Sequence, residues 1–391
     1  MTTRPRLVVA ITDSVSTTLL RGQLRSVAAA GFDVWLLSGA GPHLEPFATE
    51  EGVGVQPVAW RRGLTPLGDL RGCFQAFRMF RRTRPAIVNA STPKAGLLAT
   101  LAAFLAGVPI RIFTLRGLRS TTLTGLPRLA VGWCEWLTCR LATDVVCISE
   151  GIRDAAVARG IVPPAKARVL AHGSSNGIDV GRFTATPDKA TAAAAFRQSL
   201  GIPSSSPVIG FVGRMVRDKG VAQLVAAHAI LRAEFPDLRL VLVGPAESRN
   251  GLPADVRRQI ESLPGIHAIG SVADPSTAYL AMDVLALPSL REGFGNVLLE
   301  ANAMGIPVVA SGIEGCLDAV ADGITGTLVP AGDLPQLFAA LAAYLRDPEL
   351  RQRHGTAGRR RVLECFGQEQ VWQAQVEHYR SLLAGLKDRR R

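Results

Sequence analysis

The sequence predicts an α/β protein built as two doubly wound domains in succession, and three observations carry that prediction. The chain has 391 residues, more than one ordinary hydrophobic core accommodates. Short apolar runs alternate with longer amphipathic stretches, the pattern of a parallel sheet covered by helices on both faces. The alternation stops near the middle of the chain and then restarts, which sets the domains at 1–180 and 181–391.

In the first domain, strands are read at 6–12, 32–38, 53–59, 86–91, 109–115, 144–149 and 167–170. Helices are expected over 18–30, 67–82, 94–106 and 127–141, with one more before the last strand. Residues 171–207 are polar and rich in Ala, Ser and Pro, a linker with one short helix. Strands resume at 207–214, 238–244, 266–270, 283–289 and 306–311. Two such domains are expected to face each other across a cleft onto which the carboxyl ends of both sheets open. Phe366, Trp372 and Tyr379, near a seven-residue spacing, mark a C-terminal helix around 368–385. It is expected to belong to the second domain and to pack across both, before a basic KDRRR tail.

Composition narrows the class. With 48% hydrophobic and 19% charged residues the chain is globular, not disordered. The six cysteines form no C-x-x-C pair and read as buried free thiols. No two histidines stand at metal-ligand spacing, so no protein-bound metal is expected. The N-terminus runs directly into a strand without a secretion signal, which predicts a cytoplasmic protein. The apolar run from Leu97 to Val108 falls short of the ~20 residues that span a bilayer.

Of the net charge of +12, +10 lies in residues 1–180. A field concentrated in one half points to an anionic partner there, a membrane surface or a phosphate-bearing lipid. Nucleic acid is disfavoured, because no zinc knuckle, RNA-binding aromatic motif or basic-helix signature is present. Segment 67–84 combines Leu70, Phe74, Phe77 and Phe80 with Arg71, Arg78, Arg81, Arg82 and Arg84. It fits a basic helix lying on an anionic bilayer, but for the phenylalanines a sheet-covering helix with its arginines in water is the favoured reading.

Three segments of the second domain carry chemistry. In G-F-V-G-R-M-V-R-D-K-G (210–220), Gly213 permits a tight turn after a strand, and Arg214 and Lys219 follow it. Both can aim at one diphosphate, arginine as a fork and lysine as a point charge. In P-S-L-R-E-G-F-G-N-V-L-L-E (288–300), the Gly293/Gly295 loop opens a helix whose N-terminus suits a phosphate. Glu292 can meet a transferred group and Glu300 ribose hydroxyls. In V-G-P-A-E (243–247) and I-G-S-V (269–272), Gly244 and Val272 can border a nucleobase, although packing glycines at turns explain the pattern nearly as well. G-F-G-N-V-L lacks the third glycine of a dinucleotide site, which disfavours a nicotinamide oxidoreductase. No phosphate-binding G-x-x-x-x-G-K-[ST], hydrolase G-x-S-x-G or zinc-binding H-E-x-x-H occurs.

E-G-F-G-N-V-L-L-E (292–300) resembles the E-x7-E signature of retaining glycosyltransferases of the GT-B fold, in the large family-four group. G-R-x-x-x-x-K-G (213–220), N-G-I-D (176–179) and D-P-E-L-R…G-R-R-R-V (347–362) are similar to further segments of that group. R-G-Q-L (21–24), T-P-K-A-G-L-L-A (92–99) and A-G-V-P-I-R-I-F-T-L-R-G-L (106–118) resemble bacterial capsule, O-antigen and exopolysaccharide transferases. The resemblance covers nearly the whole chain. It implies transfer of a hexosyl group, with retention, from a nucleotide-diphosphate sugar, a UDP-sugar by analogy. The implied acceptor is a glycan on a polyprenyl diphosphate at an anionic inner-leaflet surface. Arg214 and Lys219 would neutralise the departing diphosphate, Glu292 would contact the sugar, and Gly293, Phe294, Gly295, Asn296 and Val297 would hold sugar and phosphate. Glu300 would bind ribose, and no metal cofactor is implied. Many members carry T-x-H-G in the first domain. Here the loop is Thr114-Leu115-Arg116-Gly117, and Arg116 can bind phosphate or an anionic sugar but cannot titrate near neutral pH. The Gly22 loop lacks the paired glycines of many relatives. A soluble sugar-nucleotide enzyme with a small-molecule acceptor, an epimerase and a non-catalytic nucleotide-binding protein are the alternatives.

Overall fold

Local sequence pattern and tertiary topology agree on two parallel sheets. The computed structural model describes residues 4–247 and 251–388. In the first unit the strands are β1 (Arg6–Ala10), β2 (Asp33–Gly39), β3 (Gly54–Val58), β4 (Ile87–Ser91), β5 (Ile110–Leu115), β6 (Asp144–Cys147) and β7 (Ala167–Val169). The helices between them are α1 (Gln23–Ala29), α2 (Leu44–Glu51), α3 (Pro66–Thr83), α4 (Pro93–Leu105), α5 (Gly125–Leu141) and α6 (Glu150–Ala158). All seven expected strands form, in the order β3-β2-β1-β4-β5-β6-β7 and all parallel. The strand interiors are continuously apolar because both faces are covered: Leu7, Val9 and Ile112 point into one core, Val8, Ala10 and Val88 into the other. The expected helix over 18–30 is broken. A 3₁₀ turn, Ser14–Leu20, precedes Gly22, whose φ of +78° interrupts helical geometry before α1 starts.

The second unit has α7 (Pro187–Ser199), then β8 (Val208–Val212), α8 (Val221–Leu231), β9 (Arg239–Val243), α9 (Ala254–Ser262), β10 (Ile266–Gly270) and α10 (Ser276–Leu280). It continues with β11 (Val284–Leu287), α11 (Asn296–Ala303), β12 (Val308–Ser311), α12 (Glu314–Leu317), β13 (Gly326–Val329), α13 (Leu334–Arg346) and α14 (Pro348–Cys365). Its parallel sheet runs β10-β9-β8-β11-β12-β13. The sequence reading missed β13, a four-residue edge strand with only two buried positions.

The units divide the chain differently from the expected 1–180 and 181–391. One comprises 1–177 with 368–391, the other 178–367. Ile178 bridges to Gly367 and donates its N–H to Phe366 O at 2.8 Å, so the chain enters and leaves the second unit side by side. The last helix, α15 (Gln368–Asp388), therefore belongs to the first unit. Tyr379 packs edge-on to Phe32 with ring centroids 5.9 Å apart, and its hydroxyl accepts from Asn89 Nδ2 at 2.7 Å. His378 Nε2 stands 2.8 Å from Asp144 Oδ1. The aromatic spacing misled because its members serve different cores: Phe366 packs on Phe294 in the second unit, Tyr379 in the first. The last three residues of the basic tail lie outside the described residues.

Candidate functional site

The carboxyl ends of β8, β9 and β10 close on three glycines. Gly213, Gly244 and Gly270 take φ of +153°, +138° and +71°. The Gly213 N–H donates to Val243 O at 2.9 Å and the Gly244 N–H to Gly270 O at 2.8 Å. A Cβ on Gly244 would stand 1.9 Å from Gly213 O. The edge is thus bare backbone, a surface that a flat base or a phosphate can approach closely. Val272, just beyond β10, is exposed.

After β8 the chain makes a 3₁₀ turn, Arg217–Lys219, and enters α8 through Gly220 at φ +71°. A Cβ there would meet Pro288 O at 2.0 Å, so glycine lets the turn lie against the end of β11. Lys219 Nζ consequently reaches Glu292 Oε1 at 2.5 Å, and Ser289 Oγ donates to the same oxygen at 2.8 Å. The Lys219 and Glu292 side chains are only 17% and 10% exposed. Arg214 is not drawn into this pair. It is half-exposed and faces Glu247, with Nη1 3.1 Å from Oε1.

The loop after Glu292 is clamped from its other side. Gly295 N–H donates to Gly315 O at 2.8 Å, and a Cβ on Gly315 would fall 2.4 Å from Glu292 O. Gly295 caps α11 without any side-chain hydrogen bond. The positive end of the helix dipole therefore lies open a few residues from Glu292. Asn296 Oδ1 is buried without a partner, and Val297 is partly buried. The Phe294 side chain is buried on Phe366, which leaves only its backbone for a ligand.

Glu300, one turn along α11, accepts from the Tyr279 hydroxyl at 2.7 Å. Burial raises the Glu300 carboxyl above its ordinary range, against the opposing pull of that hydrogen bond. Burial, and then the neighbouring Glu300, push the Tyr279 phenol well up. Tyr279 remains the donor, and the carboxylate keeps its other lone pairs for a ligand hydroxyl. Replacing Glu300 by alanine should weaken UDP binding about tenfold, with kcat at saturating donor less affected. Calorimetric titration checks this, and unchanged affinity removes the ribose role.

Gly22 and Arg116 belong to the first unit. Gly22 N–H donates to Glu51 Oε1 at 2.6 Å and Arg25 N–H to Glu51 Oε2 at 2.9 Å. A buried carboxylate of the chain itself thus satisfies the start of α1. Arg116 follows β5, with Nε donating to Ser91 Oγ at 2.6 Å and Nη1 to the Ser175 hydroxyl. Burial lowers its pKa to about 10, still far above neutrality.

Ser289, Tyr279 and Glu247 escaped the sequence reading. Ser289 lay within the quoted motif three residues before Glu292, so its signal was present. Tyr279 reaches Glu300 from α10, and nothing local announces it.

Two family models match the chain: "Glycosyl transferases group 1" over residues 193–361 and "Glycosyl transferase 4-like domain" over 16–173. The capsular polysaccharide biosynthesis glycosyltransferase CapM of Staphylococcus aureus is 32% identical over 373 residues, covering 95% of this chain and 96% of that protein. An Escherichia coli UDP-Gal:alpha-D-GlcNAc-diphosphoundecaprenol alpha-1,3-galactosyltransferase is 26% identical over 292 residues, 74% of each chain. Among solved structures, Anabaena Alr3699/HepE in complex with UDP and glucose superposes with a TM-score of 0.80 at 20% identity. That match covers 97% of this chain and all of the other, a likeness of fold.

Proposed function

The chain belongs to the group 1 glycosyl transferases, GT-B enzymes with a glycosyl transferase 4-like first domain, and from that premise we propose that it moves a sugar, with retention, from a UDP-sugar to a polyprenyl-diphosphate-linked glycan of a surface polysaccharide. The observation that carries this reading is the Lys219–Glu292 pair beside the uncapped start of α11. Cleaving the donor bond leaves negative charge on the diphosphate. Lys219, Arg214 and the α11 N-terminus supply fixed positive charge and dipoles where that charge develops, and no metal is needed in this scheme. Glu292 orients the donor sugar and Glu300 the ribose, while the glycine edge receives the base. The attacking hydroxyl gives its proton to the departing phosphate, so no protein base is assigned. The S. aureus and E. coli relatives support the polysaccharide setting and the lipid-linked acceptor.

Thermal stability with UDP, GDP, ADP and NAD at matched concentrations tests the donor. A ligand at a hundredfold excess over Kd adds roughly 2.7 kcal/mol. UDP alone should raise the midpoint, followed by turnover on a lipid-linked acceptor. A shift with NAD alone overturns the reading.

Attachment to an anionic membrane is part of the proposal, and α3 and α5 support it. In segment 67–84 Phe80 is buried on the sheet, while Leu67, Leu70 and Phe74 stand out in solvent, where they support the membrane-surface reading. The start of α5 carries Leu126, Leu129 and Trp133, exposed by 80%, 69% and 60%. Every exposed described side chain on these two helices is apolar or arginine, with no carboxylate among them. Leucine and tryptophan suit the headgroup–acyl boundary, and the arginines suit anionic lipid. No described helix is long and apolar enough to cross a membrane. The double substitution Leu129→Ser/Trp133→Ser should cut partitioning onto phosphatidylglycerol vesicles tenfold or more, at about 1.5–3 kcal/mol per buried side chain. Co-sedimentation measures it, and equal binding by wild type and variant removes α5 from the interface.

A further inference from the structure

Arg116 lines a small pocket of the first unit together with Gln23, Asn89, Ser91, Ser175 and Gln375. The pocket sits at the carboxyl edge of the sheet, along the ends of β4, β5 and β6, and reaches Val9 of β1. Its β1/β4 side adjoins the point where the chain reverses the direction in which it adds strands, from β2 and β3 to β5, β6 and β7. Doubly wound sheets bind ligands at this switch point, because helices diverge there and open a crevice.

The pocket's electrostatics are incomplete as they stand. Arg116 has no carboxylate within ion-pair distance among the described residues. Neutral oxygens of Ser91 and Ser175 hold its Nε and Nη1. They fix the plane of the guanidinium and leave Nη2 without an acceptor in the described chain. A cation removed from bulk water without a counter-charge is costly. The start of α1 is already satisfied by Glu51. The lining has a complementary defect: Gln375 Oε1 is buried without a hydrogen-bond partner among the described residues. The pocket thus offers a fixed cationic fork and an acceptor lacking a donor. A sugar carrying an oxyanion next to hydroxyl groups meets both demands.

We propose that this pocket is a subsite for the oxyanion of a sugar substrate, with Arg116 binding the anionic oxygens and Gln375 a neighbouring hydroxyl. The proposal rests on the glycosyltransferase reading and adds a substrate feature to it. Two substrates carry the required chemistry, a sugar phosphate of the lipid-linked acceptor and the carboxylate of an acidic donor sugar. Arg116 acts here as a binding and specificity residue, separate from the Lys219–Glu292 pair of the second unit.

The test is calorimetric titration of the full chain with glucose 1-phosphate, glucuronic acid and neutral glucose, alongside UDP. One of the two anionic probes should bind at least tenfold more tightly than glucose. Arg116→Gln should lose that preference, Arg116→Lys should recover part of it, and UDP affinity should stay within twofold in both. Gln375→Leu keeps the charge and should weaken the same probe severalfold, which holds the proposal open to test even if Arg116→Gln folds poorly. A preference for glucose 1-phosphate assigns the subsite to the acceptor, and one for glucuronic acid to the donor sugar. No preference over glucose, or an undiminished preference in Arg116→Gln, overturns the subsite. UDP binding that persists in that case leaves the transferase reading intact, whereas absent UDP binding in the wild type counts against the reading itself.

Discussion

Lys219→Ala should lower kcat by about 10²- to 10³-fold, corresponding to the ~2.7–4 kcal/mol lost when a preorganised donor to a developing oxyanion is removed. The lysine lies 2.5 Å from Glu292 and is largely buried. Arg214 stands apart from this pair, facing Glu247, so its charge does not replace Nζ beside Glu292. Among the described residues, losing Nζ leaves Glu292 the Ser289 hydroxyl as its side-chain partner, which loosens the group proposed to orient the sugar. Glu292→Ala should therefore produce a comparable loss. Initial rates with saturating donor, together with a far-ultraviolet spectrum to confirm folding, measure both effects. Near-wild-type rates in both variants would falsify the site assignment.

The second large effect is one of stability. Gly244→Ala should destabilise the second unit by about 3 kcal/mol or more, because two costs coincide. The residue adopts φ +138°, a conformation nearly closed to L side chains. Its new methyl would also overlap Gly213 O, a backbone atom that cannot swing away. Moving it would break the bonds from Gly213 to Val243 and from Gly244 to Gly270. Gly270→Ala is the matched control. Its φ is +71° and nothing lies within 4 Å of the added Cβ, so only the left-handed penalty of roughly 1–2 kcal/mol applies. Urea midpoints should fall further for Gly244→Ala, with UDP affinity falling alongside. Equal midpoints would mean that the glycine edge relaxes freely.

Most strands of both sheets were legible because they are apolar runs buried on both faces. β3, β7, β10 and β13 are covered only in part, and of these the four-residue edge strand β13 went unread. At the candidate site, Gly213, Lys219, Glu292 and Glu300 could be singled out from short spacings around turns. Their partners could not. Tyr279 arrives from a neighbouring helix, Glu247 from the next strand, and Glu51 caps α1 from 29 residues away.

From the sequence alone follow the succession of two doubly wound domains, the glycine-rich turns at strand ends and the concentration of positive charge in the first half. These are properties of neighbours along the chain, encoded by hydrophobic period, by the need for positive φ and by composition. Tertiary structure alone decided that Lys219 meets Glu292 across 73 positions, that the last helix returns to the first unit, and that Arg116 has no carboxylate partner among the described residues. Each of these depends on which elements the sheet order places side by side. That order is set by the packing of whole layers, to which every buried residue contributes and which no local pattern records.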